Sequence, residues 1–290
     1  LTEHTEQALG MPNMSGYQIA RISSDEEERR RLGYDRTTHH RGGGKTQEFT
    51  IFGQNEITGR LILEHNANIF MMNHGLRKPD GTTFPFALCT RCNKWLMSES
   101  DIEEHASTPT KKGDCRANAK EEDIITGIGL THELRCDVLV LETAYTEGVE
   151  PEKFYKTLIT AIHRGILIAF NLDEREIGYF LSKNPGETIP YRMIFYENTT
   201  GGTGCLSAMI DQSVFKNVLT KTQEILHGNQ GDEGCDEACY QCLLSFYNQR
   251  DHAYLNRHLA LNWIDDLGKF EIKEEEKFDQ AQFDHLMNLS

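Results

Sequence analysis

Three cysteines fall within eight residues near the end of this chain: Cys235, Cys239 and Cys242. Few folds explain thiols this close as ordinary core residues. Short-spaced thiolates suit a tetrahedral zinc ion, and Cys-x2-Cys lets two sulfurs share one ion on a tight turn. A fourth ligand is needed. His252 lies ten residues after Cys242. On one straight helix that separation would rise about 15 Å, too far to share an ion. A His252 ligand therefore requires a break in the chain near 247–250. Cys205, brought in by tertiary folding, is the rival, with Glu, Asp or water behind it. The expected set is Cys235, Cys239, Cys242 and His252.

A second group reads Cys89-Thr-Arg-Cys92, then His105 and Cys115. Small zinc ribbons use such spacing to close a knuckle with little core of its own. Phe84 and Trp95 are candidates to cover it. The alternative is a surface Cys-x2-Cys with an unrelated histidine. Both sites read as structural, so zinc is the expected cofactor. Cys136 and Cys205 are left over.

The redox and charge balance bear on partners. Eight cysteines without a secretion signal point to reduced thiols and metal binding, and so to a cytoplasmic protein. The net charge is −15, which disfavours whole-chain steering toward DNA or an anionic membrane. The charge is uneven. Residues 1–80 carry 10 Lys and Arg against 11 Asp and Glu, whereas residues 211–290 carry 7 against 15. Any DNA contact belongs in the balanced first block. Its Arg29, Arg30, Arg31, Arg41 and Lys45 read either as a solvated helix turn and its surroundings or as a phosphate-facing strip. No run of about 18 apolar residues is present, so no membrane helix is expected.

The periodicity gives an α+β chain: a small antiparallel sheet with packed helices and a C-terminal zinc knuckle, preceded by a zinc-ribbon-like region. Strands are expected at 17–22, 49–52, 60–63 and 189–196, with a strand pair at 124–134 and 137–142. Pro151 opens a helix on which Phe154, Leu158, Ile162 and Ile166 recur every four residues. Further helices are expected from the turn at 201–204 to about 227 and over 251–267. The organisation expected is a first unit over 1–118, a second over 119–270, and a loosely held acidic tail at 271–290.

Two glycine-rich stretches bear on phosphate binding. Gly42-Gly43-Gly44-Lys45-Thr46 mimics the end of a phosphate-binding loop, but His39 stands where the first glycine should be and 34–41 is polar. Nucleotide binding is excluded there. Gly201-Gly202-Thr203-Gly204 reads as a tight strand-to-helix turn, with phosphate contact as the alternative. His132, His163, His227, His258 and His285 lie outside any motif and read as surface or satisfied core residues. A zinc-dependent hydrolase would need a base such as Asp251 or Glu237, and nothing in the sequence orients either.

The run Cys239-Tyr-Gln-Cys242-Leu-Leu-Ser-Phe-Tyr-Asn248-Gln249-Arg-Asp-His252-Ala-Tyr-Leu-Asn-Arg257 resembles the C-terminal zinc-binding (MZB) domain of mitomycin repair factor-type helicases. The same domain occurs in the DrmB-type subunit of the DISARM phage-defence system. Arg135-Cys136-Asp137-Val138, Tyr196-Glu-Asn-Thr-Thr-Gly201-Gly202-Thr203-Gly204, Asn73-His74-Gly75-Leu76-Arg77 and Phe86-Ala-Leu-Cys89-Thr-Arg-Cys92 agree with it. The resemblance implies the non-catalytic end of a superfamily 2 DNA helicase or helicase-associated protein, in DNA repair or phage defence. The ATP-driven motor would lie upstream or on a partner chain. Arg77 joins the nucleic-acid-binding candidates. The family gathers four local cysteines, where this chain has three and a histidine. The rival expectation is an acidic module that docks a helicase partner without touching DNA.

Overall fold

The computed structural model describes residues 33–53, 56–78, 80–108, 110–184, 189–199, 202–228 and 234–275. Arg29, Arg30 and Arg31, with the strand expected at 17–22, lie outside them. The main sheet is antiparallel and built on two long strands. β1 (Tyr34–Arg41) and β2 (Thr46–Gly53) pair with different halves of β3 (Glu56–Arg77). β4 (Thr83–Phe84) pairs with the end of β3. A second, three-stranded sheet holds β5 (Phe86–Cys89), β6 (Trp95–Leu96) and, beyond helix α1 (Glu99–His105), β7 (Ile124–Ile128).

β8 (Leu130–Thr143) returns to the main sheet along β3. Helix α2 (Pro151–Phe170), β9 (Ile177–Lys183) and β10 (Tyr191–Glu197) follow, then α3 (Cys205–Ala208), α4 (Gln212–Ile225) and α5 (Arg257–Leu267). β11 (Phe270–Glu274) closes the order β11-β2-β3-β8-β10-β9.

This is the α+β architecture expected, with a larger sheet. Strands from both sides of residue 118 share it, because β3 pairs with β8 over nearly its whole length. The strand expected at 60–63 runs on to Arg77 because a bulge absorbs the polar Glu64-His65-Asn66 run. Asn66 takes a left-handed conformation (φ 55°) there. Asp137 on β8 fixes the bulge, with Oδ2 2.9 Å from His65 Nδ1. The β1–β2 loop packs on the same place. A Cβ on Gly44 would sit 1.4 Å from the His65 carbonyl oxygen, so only glycine fits. Gly42 to Thr46 thus joins two strands, whereas a phosphate loop opens a helix.

Other differences have equally local reasons. The pair expected at 124–134 and 137–142 is one continuous β8, and β7 leaves for the other sheet. Polar 34–41 is an edge strand with alternating exposure. Residues 271–274, expected in a loose tail, continue from Phe270 as a strand on β2, because Phe270 is buried edge-to-face against Phe215. The helix expected to run to 227 breaks after α3, where Asp211 caps α4 by accepting from the amides of Ser213 and Val214. The helix expected over 251–267 is a 3-10 turn, Gln249–Tyr254, followed by α5.

The main core lies between one sheet face and the helices. Leu61, Leu63, Leu139, Leu141, Met193 and Phe195 meet Phe154, Leu158, Ile162 and Ile166 of α2. Each fully buried side chain of this size contributes about 1.5–3 kcal/mol. α4 and α5 pack behind through Phe215, Val218, Leu261 and Ile264. Buried polar groups tie the layers together: Tyr155 Oη donates to the Thr143 carbonyl (2.6 Å) and Trp263 Nε1 to the Thr143 hydroxyl (3.0 Å).

Candidate metal centres

The first centre forms where α4 ends and the chain returns toward α5. Cys235 and Cys242 sulfurs are 3.7 Å apart, and Cys239 and Cys242 sulfurs 3.6 Å. The fourth member is His227, whose Nε2 lies 3.3 Å from Cys239 Sγ. All four ligand atoms lie within 4.8 Å of one another. With zinc arms of about 2.3 Å to sulfur and 2.0–2.1 Å to nitrogen, a tetrahedron has edges of about 3.8 Å between sulfurs and about 3.5 Å between sulfur and nitrogen. The observed separations fit that figure.

His252 stands elsewhere, which corrects the expected ligand set. The break needed near 247–250 exists, but it turns the ring back on its own loop. His252 Nε2 lies 3.1 Å from the Ser245 carbonyl oxygen and 3.0 Å from Asn248 Oδ1. His227 takes the place instead because α4 stops just before it. His227 is left-handed (φ 64°) in the turn that leaves the helix, a common way for a helix to end. The readable signal was His-x7-Cys-x3-Cys-x2-Cys behind an amphipathic helix.

The backbone shapes this cage. The Cys239 amide donates to Cys242 Sγ (3.1 Å), and the amides of Cys242, Leu243 and Leu244 all reach the Cys239 carbonyl. Arg257 is buried beside it and joins the two arms. Its Nη1 donates to the carbonyls of Leu226 (3.1 Å) and Gly228 (3.4 Å), its Nε to that of Asp236 (3.2 Å). Burial, with adjacent Cys239 and Cys242, pushes the Cys235 thiol up to about 12. Cys239 falls to about 7: burial opposes this, and the His227 hydrogen bond leads the effects that lower it. A divalent cation favours the thiolate form of all three.

The second centre brings together Cys89, Cys92, His105 and Cys115, again within 4.8 Å. His105 ends α1, whose first turn is capped by the Ser98 side chain. Its Nε2 lies 3.2 Å from Cys92 Sγ, and its buried Nδ1 has no hydrogen-bond partner among the described residues. The Cys115 amide donates to the His105 carbonyl (3.2 Å), which sets the fourth ligand beside the third. Asn93, left-handed at φ 59°, makes the turn at Cys89-x2-Cys92. Among the described residues the buried apolar cluster here is Cys89, Cys115 and Ala119. A knuckle with so little core needs a cross-link, and a metal ion supplies one. Trp95 packs edge-on against Phe86 in the small sheet.

Four protein ligands per cage make a closed, structural set. The acids weighed for hydrolysis are engaged: Asp251 with Lys156 (2.9 Å), Glu237 with Asn256 (3.1 Å). Cys205 is not a ligand in this geometry. It opens α3 with its sulfur 3.7 Å from Glu197 Oε1. Glu197, like His227, was a residue missed in the sequence. Buried, it accepts from the Thr203 amide (2.7 Å), the Thr203 hydroxyl (3.1 Å) and the Leu206 amide (3.4 Å). The anion at this turn is the protein's own carboxylate. Of the basic candidates, Arg41 and Lys45 are exposed at the end of β1 and in the following loop. Arg77 is paired with Asp35 (2.8 Å).

Residues 158–243 match the MZB family model, described as the MrfA Zn-binding domain. The MZB segment runs from within α2 to just past Cys242. It contains His227, Cys235, Cys239 and Cys242, and ends before His252. No curated protein matches. Among solved structures, a crystal structure of the DUF1998 helicase MrfA bound to DNA is similar at 9% identity and a TM-score of 0.42. That match covers 81% of this chain, and the chain spans 26% of the helicase.

Proposed function

We propose that this chain is a non-catalytic, zinc-stabilised module of a DNA helicase or helicase-associated protein. The observation that carries the reading is the MZB match over a segment containing a complete four-ligand cage. Zinc, when bound, supplies a cross-link and no reactive position. His227 and the three thiols would hold the end of α4 against the start of α5, and Arg257 fastens the same two arms. The second cage would hold the Cys89-x2-Cys92 turn against the end of α1 and the loop at Cys115.

In this reading the module supports DNA binding or unwinding by a motor in the same polypeptide or on a partner chain. The work is DNA repair or phage defence of the DISARM kind, in the cytoplasm. Phosphates would meet Arg41, Lys45 and Arg77, and Arg29, Arg30 and Arg31 are the further candidates of the same sequence block. A salt titration of single-strand binding tests this. Log affinity should fall with log salt by about 0.7 for each phosphate neutralised.

The acidity of residues 211–290 favours a second reading, in which the module docks a partner protein and leaves DNA to the motor. Absence of measurable DNA binding at low salt would select it.

A further inference from the structure

Directly after Cys242 the chain makes a loop anchored by polar groups. Asn248, buried, accepts the Ser245 amide at Oδ1 (2.8 Å) and donates from Nδ2 to the Leu243 carbonyl (2.7 Å). The Ser245 hydroxyl accepts from the Tyr247 amide (3.2 Å), and His252 closes on the same two residues from the other side. Between these anchors the loop turns two large aromatics outward. Phe246 is 65% exposed and Tyr247 62%, with rings edge-to-face 5.7 Å apart. Core formation does not require this. A set of buried hydrogen bonds is spent on holding two adjacent rings in water.

The surroundings are cationic in an otherwise acidic part of the chain. Arg250, three residues on, donates from Nη2 to the Tyr34 carbonyl (3.1 Å), which brings β1 alongside. Arg36 follows on β1, 5.8 Å from the Tyr34 ring centre. No carboxylate lies within ion-pair distance of Arg36 or Arg250 among the described residues. Burial, then the charge of Arg77, lowers the Arg250 pKa, with Asp35 and Asp251 opposing and Arg36 adding to the lowering. The nearest acids are engaged, Asp35 with Arg77 and Asp251 with Lys156.

We propose that Phe246 and Tyr247, with Arg250 and Arg36, form a stacking site for the bases of single-stranded nucleic acid. Exposed rings on a held loop offer faces to successive bases, and guanidinium groups alongside take the intervening phosphates. Stacking of this kind changes affinity by about 5- to 150-fold per base. The proposal rests on the reading that the module touches DNA. It also gives His252 a task as a positioning residue for the loop.

The test is fluorescence anisotropy of the zinc-loaded 290-residue chain with a labelled oligothymidine and with an abasic oligomer of equal length. The variants are Phe246→Ala/Tyr247→Ala, the milder Phe246→Leu/Tyr247→Leu, and Arg250→Ala. Zinc content and melting temperature check that each variant folds, and the leucine pair serves if the alanine pair does not. Each aromatic pair should bind oligothymidine at least about 10-fold more weakly and the abasic oligomer unchanged. Arg250→Ala should lower the salt slope by about one. Undiminished oligothymidine binding by the aromatic pair overturns the stacking site and leaves the DNA reading intact, with a protein partner as the occupant. Equal losses on both oligomers also overturn it. No binding of either oligomer by the unaltered chain overturns the DNA reading itself.

Discussion

His227 Nε2, just past the end of α4, lies 3.3 Å from Cys239 Sγ in the cysteine knuckle. The two residues are twelve positions apart, and nothing in the cysteine spacing alone brings them together. This pairing makes the knuckle an anchor for α4 as well as for the chain leading to α5.

The second centre should govern local stability. Cys89→Ser or Cys115→Ser leaves three ligands around a cluster that includes little else apolar. Hydrogen exchange should then show β5, β6 and β7 losing protection while α2 and β10 keep theirs. Uniform loss across the chain would show that the small sheet is not a separate cooperative unit.

Glu197 is expected to matter for folding rather than for ligand binding. Glu197→Ala leaves the Thr203 and Leu206 amides without their acceptor. The loss should be about 3 kcal/mol, read as a lower urea midpoint at an unchanged slope. A change below about 0.5 kcal/mol would mean that water replaces the carboxylate at no cost.

The crossing of α2 and α4 is tight at Gly165. A Cβ there would lie 2.0 Å from Thr222 Oγ1 and 2.8 Å from the Val218 carbonyl oxygen. Gly165→Ala should cost about 1–3 kcal/mol by overpacking. Thr222→Ala in the same chain should recover part of it, because the hydroxyl clash goes and the carbonyl clash stays. A thermal melt of the single and double variants checks this.

His163 supplies a pH dependence. It is buried, its Nε2 donates to the Ile177 carbonyl (2.9 Å), and burial lowers its pKa from the usual 6.5 to about 4. The unfolded chain therefore binds a proton between those values while the folded chain does not. Stability is full above about pH 6.5 and is lost as pH falls toward 4, by about 3 kcal/mol in all. Urea unfolding of His163→Gln should lack that part of the pH dependence. Parallel pH profiles for the two proteins would place the effect elsewhere, zinc release included.

The local patterns were readable and the tertiary ones were not. Four-residue apolar spacing places α2, and Cys-x2-Cys marks both cages. β1 escapes notice because an edge strand needs no apolar face, and β3 looks short because its bulge is polar. The glycine turn before α3 looks like a free anion site because its anion, Glu197, comes from the preceding strand. His227 and His252 are separated by position alone: both follow local signals, and only the end of α4 decides which reaches the thiols.

Zinc per chain, measured by elemental analysis of His227→Ala and His252→Ala beside the unaltered protein, tests the central claim most directly. Two clusters could hold zinc, so about two ions per chain are expected, falling to about one in His227→Ala and staying at two in His252→Ala. Full zinc in His227→Ala together with loss in His252→Ala would contradict a cage built on His227.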